Sequence, residues 1–389
     1  MRIPLNSTSL RDLPLGRLCV LGVLATSLAV ADALPEGVVA DPDRLQFLLS
    51  LAIGAVAIGM ALADRLSRTH LVALRNRVLL LVATLTIAVV GAEIATRLVF
   101  RGVTTSTDNA GFFTRRWLRT GAVTLNGAGY RERAFTATKP EGVYRIAVVG
   151  DSFTFGNGIR QQDRYTDLMQ ARLPARIEVL NFGKAGDNTP EHEKRVAELL
   201  QTVNPDFILL QWYVNDMEDD DMSGRPAPRP LVPPLHDWLN ARSALYNVAN
   251  IKWAETQVRL GWERSYVEFI NHRLADPHGQ YAQIDNQHLR RLLEHAKRAG
   301  VPMGLVLFPN AATPISDSYP FGYLHDRVLG LCAEYELTCV DLRNDFALVK
   351  DHRLLWASRF DHHPSAFANE IAAERILATF AAKWASPPK

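Results

Sequence analysis

Cysteine is scarce: the chain of 389 residues holds three, one of them, Cys19, inside an apolar run. That count excludes a disulfide framework as the source of stability. Cys332 and Cys339 would pair in an oxidising compartment, but the sequence favours two buried free thiols over a bridge. An excess of charge of one sign is also missing. With 43 basic against 41 acidic residues the formal net charge is +2, so no global field draws the chain to nucleic acid. There is no internal repeat. Several familiar signatures are not met. "GDSFTFGNG" (150–158) has no lysine where a phosphate loop needs one and is not G-x-G-x-x-G, and "GDSFT" lacks the second glycine of the α/β-hydrolase nucleophile elbow. "HEKRV", from His192, carries Val196 where a zinc helix needs its second histidine. The acidic run Glu218 to Asp221 reads as solvated rather than as a metal site, and nothing calls for a metal or cofactor.

What the chain does have is apolar length near its start. Three stretches, about Leu18 to Leu34, Leu45 to Leu62 and Val78 to Phe100, each approach the ~20 residues needed to cross hydrocarbon. They are expected to be transmembrane helices of a membrane region, 1–102. Arg2, Arg11 and Arg17 precede the first, and Arg65, Arg68, Arg75 and Arg77 lie between the second and third. Basic loops stay inside, so everything after Phe100 is expected outside, or in the periplasm, of a multi-pass inner or plasma membrane protein. Ala31 and Ala33 form a small-residue pair like a signal-peptidase site. Cleavage there would leave the later domain facing outward.

From about Val103 the pattern changes to short β-rich runs alternating with polar helical segments, which predicts an α/β domain with a parallel sheet over 103–389. The runs are 144–150, 177–181, 206–212, 303–309 and 337–342, of continuous apolar character as suits strands buried on both faces. Helices are expected near Tyr165 to Leu173, Glu191 to Thr202, Asn286 to Ala299, Tyr323 to Tyr335 and Ala366 to Trp384. The stretch at about 217–284 breaks this rhythm with a Pro-rich segment and a helical piece rich in Trp and Tyr. It reads as an insertion, either a lid or substrate wall or a peripheral elaboration.

Open parallel sheets bind ligands beyond the carboxyl ends of their strands. Four such ends carry reactive chemistry: Gly150-Asp151-Ser152; "NFGKAGDN" with Gly183 and Gly186; "YVNDMEDD" with Asn215 and Asp216; and "FDHHPS" with Asp361, His362 and His363. A serine hydroxyl needs a base, and an imidazole oriented by a carboxylate supplies one. Asp361 and His363 fit that pair. Backbone N–H groups at glycine turns and an Asn side chain suit an oxyanion, which Ser152, Gly186 and Asn215 could provide. Each also has a plainer use: Ser152 as a helix cap, Gly186 in a turn, Asn215 bonding its loop, His363 as a surface histidine. Four such sites in succession favour catalysis.

These blocks resemble the SGNH hydrolases, the GDSL-type esterase and lipase superfamily, from about Leu125 to the C-terminus. "LNGAGYRERAFTATKPEGVYRIAVVGDSFTFGNGI" is similar to the lead-in and first block of bacterial members. "VLNFGKAGDNTPEH", "LLQWYVND" and "DHHPSAFANEIAAERI" are similar to the glycine, asparagine and terminal blocks. The resemblance implies a flavodoxin-like sheet with helices on both faces and hydrolysis through an acyl-enzyme. It makes Ser152 the nucleophile, His363 the base, Asp361 its orienting acid, and Ser152, Gly186 and Asn215 the oxyanion hole. Two departures stand out: Tyr213 where the family commonly has Gly, which narrows the site, and D-x-H in place of D-x-x-H. The second leaves Asp361 the least secured member and His362 a rival base.

The expected function is a membrane-embedded esterase removing O-acyl groups from a cell-envelope or exported glycan, an acylated carbohydrate or other small ester being the substrate. Its partners would be proteins of envelope polysaccharide modification. The rivals are a carbohydrate O-acyltransferase using the same serine, a catalytically silent glycan-binding or assembly protein, and a lipase with "RPAPRPLVPPLHDWL" as lid. Trp212, Trp238 and Trp253 are the aromatic rings that would stack on a sugar.

Overall fold

The computed structural model describes residues 59, 72–107, 111–217 and 225–385. Apart from Gly59, the first two apolar stretches and the acidic run after Met217 lie outside them. The chain forms two compact units: one ends at Gly102 and takes in Leu231–Asn250, and the other comprises Val103–Pro230 and Ile251 onward.

The second unit is built on a parallel 5-stranded sheet in the order β2-β1-β3-β4-β5. The strands are β1 (Tyr144–Val149), β2 (Ile177–Asn181), β3 (Phe207–Trp212), β4 (Met303–Leu307) and β5 (Thr338–Asp341). All five expected strands are present, each within a residue or two of its expected limits. The continuous apolar runs follow from burial on both faces. In β1, Ala147 and Val149 join one core cluster while Ile146 and Val148 join the other, as a two-residue side-chain period requires. Helices Thr189–Thr202 and Gln280–Arg298 send Val196, Leu199, Leu289 and Leu292 into the first cluster. Tyr165–Arg172 and Ala366–Ala385 send Met169, Ala372, Ile376 and Phe380 into the second. This is the flavodoxin-like order, with its switch point where β1 meets β3.

Two features depart from the sequence expectation. A 2-stranded antiparallel ribbon of β6 (Trp356–Ser358) and β7 (Asp361–Pro364) precedes the last helix. Strands this short, spelling "WAS" and "DHHP", carry no periodic signal. The free-thiol expectation is corrected: Cys332 and Cys339 form a disulfide, with Cα atoms 6.4 Å apart. The tight return from helix Gly322–Glu334 into β5, with Glu336 at φ 53 and Leu337 N–H donating to Cys332 O, brings them within bridging range.

In the first unit, helix Val72–Val99 contains a 24-residue segment, Asn76–Val99, of mean hydropathy 2.4, long and apolar enough to cross a membrane. Leu80, Leu81, Leu85 and Ile87 are exposed along it. Near its end Glu93 and Arg97 are buried and paired, Arg97 Nε donating to Glu93 Oε1 at 2.6 Å. The Glu93 carboxylate also accepts from Ser243 Oγ (2.7 Å), Ala244 N (2.9 Å) and Leu245 N (3.0 Å), covering the open N-terminus of helix Ala244–Arg259. Arg97 Nη2 donates to Arg242 O. Replacing Glu93 by alanine would take from Arg97 its carboxylate and from three donors their acceptor, a loss of about 3–5 kcal/mol for a broken buried pair. Limited trypsinolysis of the full-length protein in detergent is expected to cut the Glu93→Ala variant after Arg242 at least ~10-fold faster than wild type. Equal rates would mean that the carboxylate does not hold this segment.

Candidate active site

β1 delivers the chain into "GDSF" at the switch point. Gly150 is required by space: a Cβ there would lie 2.2 Å from Thr154 Oγ1 and 2.4 Å from Gln211 Oε1. Gln211, from β3, accepts from Asp151 N–H and Thr154 Oγ1, fastening the turn to the neighbouring strand. The cap of the short helix Ser152–Phe155 is Asp151, whose Oδ1 accepts from Phe153 N at 2.8 Å. Ser152 is therefore the first helical residue, and its hydroxyl is not used as the cap. At the other end of this turn, the wholly buried Arg131 donates to the carbonyls of Phe155, Gly156 and Ile159. Arg131 lies in the lead-in block, and this is what that block does.

Ser152 Oγ lies 2.9 Å from His363 Nε2, and His363 Nδ1 lies 2.6 Å from Asp361 Oδ1. The D-x-H spacing is explained by β7: in a strand, residues two apart share a face. Asp361 and His363 thus point the same way, while His362 turns out and packs on Trp356 at 4.4 Å. Asp361 is fully buried. Its Oδ2 accepts from Ser106 N (2.6 Å) and Ser106 Oγ (2.7 Å). Burial opposes its charge, but the hydrogen bond and charge of His363, with help from the Ser106 hydroxyl, outweigh that and hold its carboxyl at about 2. The bond to a carboxylate that stays ionised assigns the proton to Nδ1 and leaves Nε2 an acceptor for the serine.

The glycine loop runs beside β1, with Phe182 N–H donating to Val148 O and Lys184 N–H to Gly150 O. Gly186 sits there at φ +89, left-handed backbone that glycine adopts freely, with nothing within 4 Å of a would-be Cβ. After β3, Tyr213 N–H donates to Asp216 Oδ2 at 2.7 Å, closing the 3₁₀ turn Val214–Met217 that carries Asn215. Burial, then the charge of Asp151, pushes the Asp216 carboxyl well above the usual carboxylate range. Burial also raises Asp151, opposed by Phe153 N–H, the charge of His363 and the amides of Asn215 and Gln211. Asn215 thus faces the turn that holds Ser152. The Tyr213 ring stacks on Phe153 at 4.1 Å, filling room that a glycine would leave open.

Thr189 Oγ1 lies 2.7 Å from Asp216 O and 2.6 Å from Asp285 Oδ1. The hydroxyl donates within this pair of contacts, and burial pushes the Asp285 carboxyl up to about 7. Trp212 is 1% exposed within the core and unavailable to a sugar, whereas Trp238 is 40% exposed. Among the described residues no group of three or more His, Cys, Asp or Glu is placed to hold a metal ion.

Sequence reasoning passed over two residues. Arg131 was readable only as part of a block. Ser106 is 255 residues from Asp361 in sequence, in a "TTST" run with neither period nor characteristic spacing.

The model of the GDSL-like lipase/acylhydrolase family matches residues 148–371. No curated protein matches the chain. Among solved structures, the chain is similar to a member of the lipolytic G-D-S-L family from Veillonella parvula, with 14% identity and a TM-score of 0.39, covering 61% of this chain and 98% of that one. It is also similar to a catalytic mutant of an acetylxylan esterase from Geobacillus stearothermophilus, with 16% identity and a TM-score of 0.40, covering 63% and 97% respectively. With a family match running from Val148 to Ile371, over half its length, the chain belongs to the GDSL-like lipase/acylhydrolase family and is a serine esterase.

Proposed function

We propose that Ser152 is the nucleophile of a membrane-anchored esterase that faces away from the cytoplasm and removes O-acyl groups from a cell-envelope or exported glycan. The observation that carries this reading is the 2.9 Å contact of Ser152 Oγ with His363 Nε2, behind which Asp361 holds the imidazole. His363 Nε2 takes the serine proton as Oγ attacks the acyl carbonyl. The tetrahedral oxyanion is held by the N–H groups of Ser152 and Gly186 and by the Asn215 amide. On collapse the sugar oxygen leaves with the proton from His363, and water repeats the sequence to free the acid. Outward placement draws support from the apolar helix, from the arginines flanking the apolar stretches, and from the Cys332–Cys339 disulfide, a bond that persists in oxidising compartments. A domain so placed meets acylated envelope polymers, which is the basis of the substrate class.

The test is to treat the full-length protein in detergent with a fluorophosphonate, find the adduct by peptide mass spectrometry, and then supply an acetylated oligosaccharide with and without a free sugar acceptor. The expected result is an adduct on Ser152 and release of acetate at a rate the acceptor does not change. Folded protein without an adduct would overturn the reading, and acetyl appearing on the acceptor would make the enzyme a transferase through the same serine.

An amide NH₂ has two protons, so Asn215 can give one to Asp151 and keep the other for the oxyanion. Asn215→Ala is expected to lower kcat by ~10² to 10³ with KM little changed, since the donor acts on charge that develops only in the transition state. A change below about threefold would move the oxyanion site elsewhere.

A further inference from the structure

We infer that Ser106 is a positioning residue for the catalytic pair: its N–H and hydroxyl fix the Asp361 carboxylate toward His363, so the stretch just past the apolar helix completes the active centre. This rests on the roles proposed above for Asp361 and His363. Two donors from one residue meet one carboxylate oxygen, at 2.6 and 2.7 Å, and the same hydroxyl lies 3.3 Å from His363 Nδ1. A serine in a loop usually bonds its own neighbouring backbone; here both donors turn inward to a residue distant in sequence.

The approach is held by the residues on either side. Thr104 O accepts from Ser358 Oγ at 2.6 Å, and Thr105 Oγ1 donates to Phe360 O at 3.4 Å, so residues 104–106 lie along the β6–β7 hairpin that bears the pair. The division of labour on the carboxylate is complete. Oδ1 serves His363, through Nδ1 and its backbone N–H, and Oδ2 serves Ser106. With both oxygens spoken for, the carboxylate has one orientation, and the ring it holds has one tautomer. Without the hydroxyl, Oδ2 keeps only the backbone N–H and the carboxylate is held less tightly in line with the ring.

Ser106→Ala removes the hydroxyl, and Ser106→Cys keeps the volume while replacing it with a weak donor. In the full-length protein, both are expected to slow phosphonylation of Ser152 by about tenfold or more, as befits a lost hydrogen bond to a charged group, with the half-saturating reagent concentration unchanged. The decisive comparison is Ser106→Ala in an Asp361→Asn background, where it should cost less than about twofold because the partner it acts through has already lost its charge. Rates for both single variants within about twofold of wild type would overturn the inference, as would the same fold loss in the Asp361→Asn background. Wild-type protein that takes up no phosphonate would overturn the reading of Ser152 itself, a failure distinct from that of Ser106.

Discussion

Ser152→Ala is expected to lower ester hydrolysis by roughly 10⁶-fold, the scale seen when a serine nucleophile is removed from a working constellation. The fold should hardly notice. The cap of helix Ser152–Phe155 is the Asp151 carboxylate, which loses only the long 3.4 Å contact from the Ser152 hydroxyl and keeps Phe153 N–H, while Gln211 keeps its bonds from Asp151 N–H and Thr154. His363 loses one partner at Nε2 and keeps Asp361 at Nδ1. The variant should therefore melt within a few degrees of wild type while taking up no fluorophosphonate at position 152. Hydrolysis of a p-nitrophenyl ester by a well-folded variant at more than about a tenth of the wild-type rate would leave Ser152 without the role of nucleophile.

How far the sequence carries the fold and site depends on where each signal comes from. The five strands of the main sheet are legible because burial on both faces forces runs such as "IAVV" and "FILL" to be continuously apolar. Ser152, Asn215 and His363 draw attention because each stands just past such a run or at the head of the last helix. Four features needed the third dimension. Ser106 owes its place to a contact across 255 residues. The D-x-H spacing looked like a departure until β7 put its two ends on one face. Cys332 and Cys339 read as two thiols because a sequence separation of 7 says nothing about a chain that turns straight back from helix to strand. Glu93 and Arg97 carry no sequence signal beyond two charges in an apolar run, and become a buried pair held against the Ser243–Leu245 segment only in the structure.

Asp361→Asn has the second largest expected effect, a fall of ~10⁴ in kcat. The two side chains differ by one atom, and the loss follows from hydrogen-bond polarity. Asp361 accepts from four donors: the backbone N–H and Nδ1 of His363 at one oxygen, the N–H and hydroxyl of Ser106 at the other. An asparagine offers one oxygen and one NH₂. If the oxygen stays with Ser106, the NH₂ faces Nδ1 and forces that nitrogen to accept, which moves the ring proton to Nε2 and leaves nothing to take the proton of Ser152. If the oxygen stays with His363, the NH₂ meets the Ser106 N–H, donor against donor, in a site where Asp361 has no exposure to water. Either arrangement sets the NH₂ against a backbone N–H, that of His363 in the first and that of Ser106 in the second, at about 1–3 kcal/mol for a buried unsatisfied group; the first brings the wrong tautomer, and the second leaves the imidazolium formed in the reaction without its carboxylate charge. Because the Asp361 carboxyl is held at about 2, it is charged at any pH where the enzyme works, and the variant lacks that charge throughout. A loss of the stated size, in protein that still folds, is the expected outcome. An Asp361→Asn enzyme within about tenfold of wild type would mean that His363 is oriented by something other than this carboxylate.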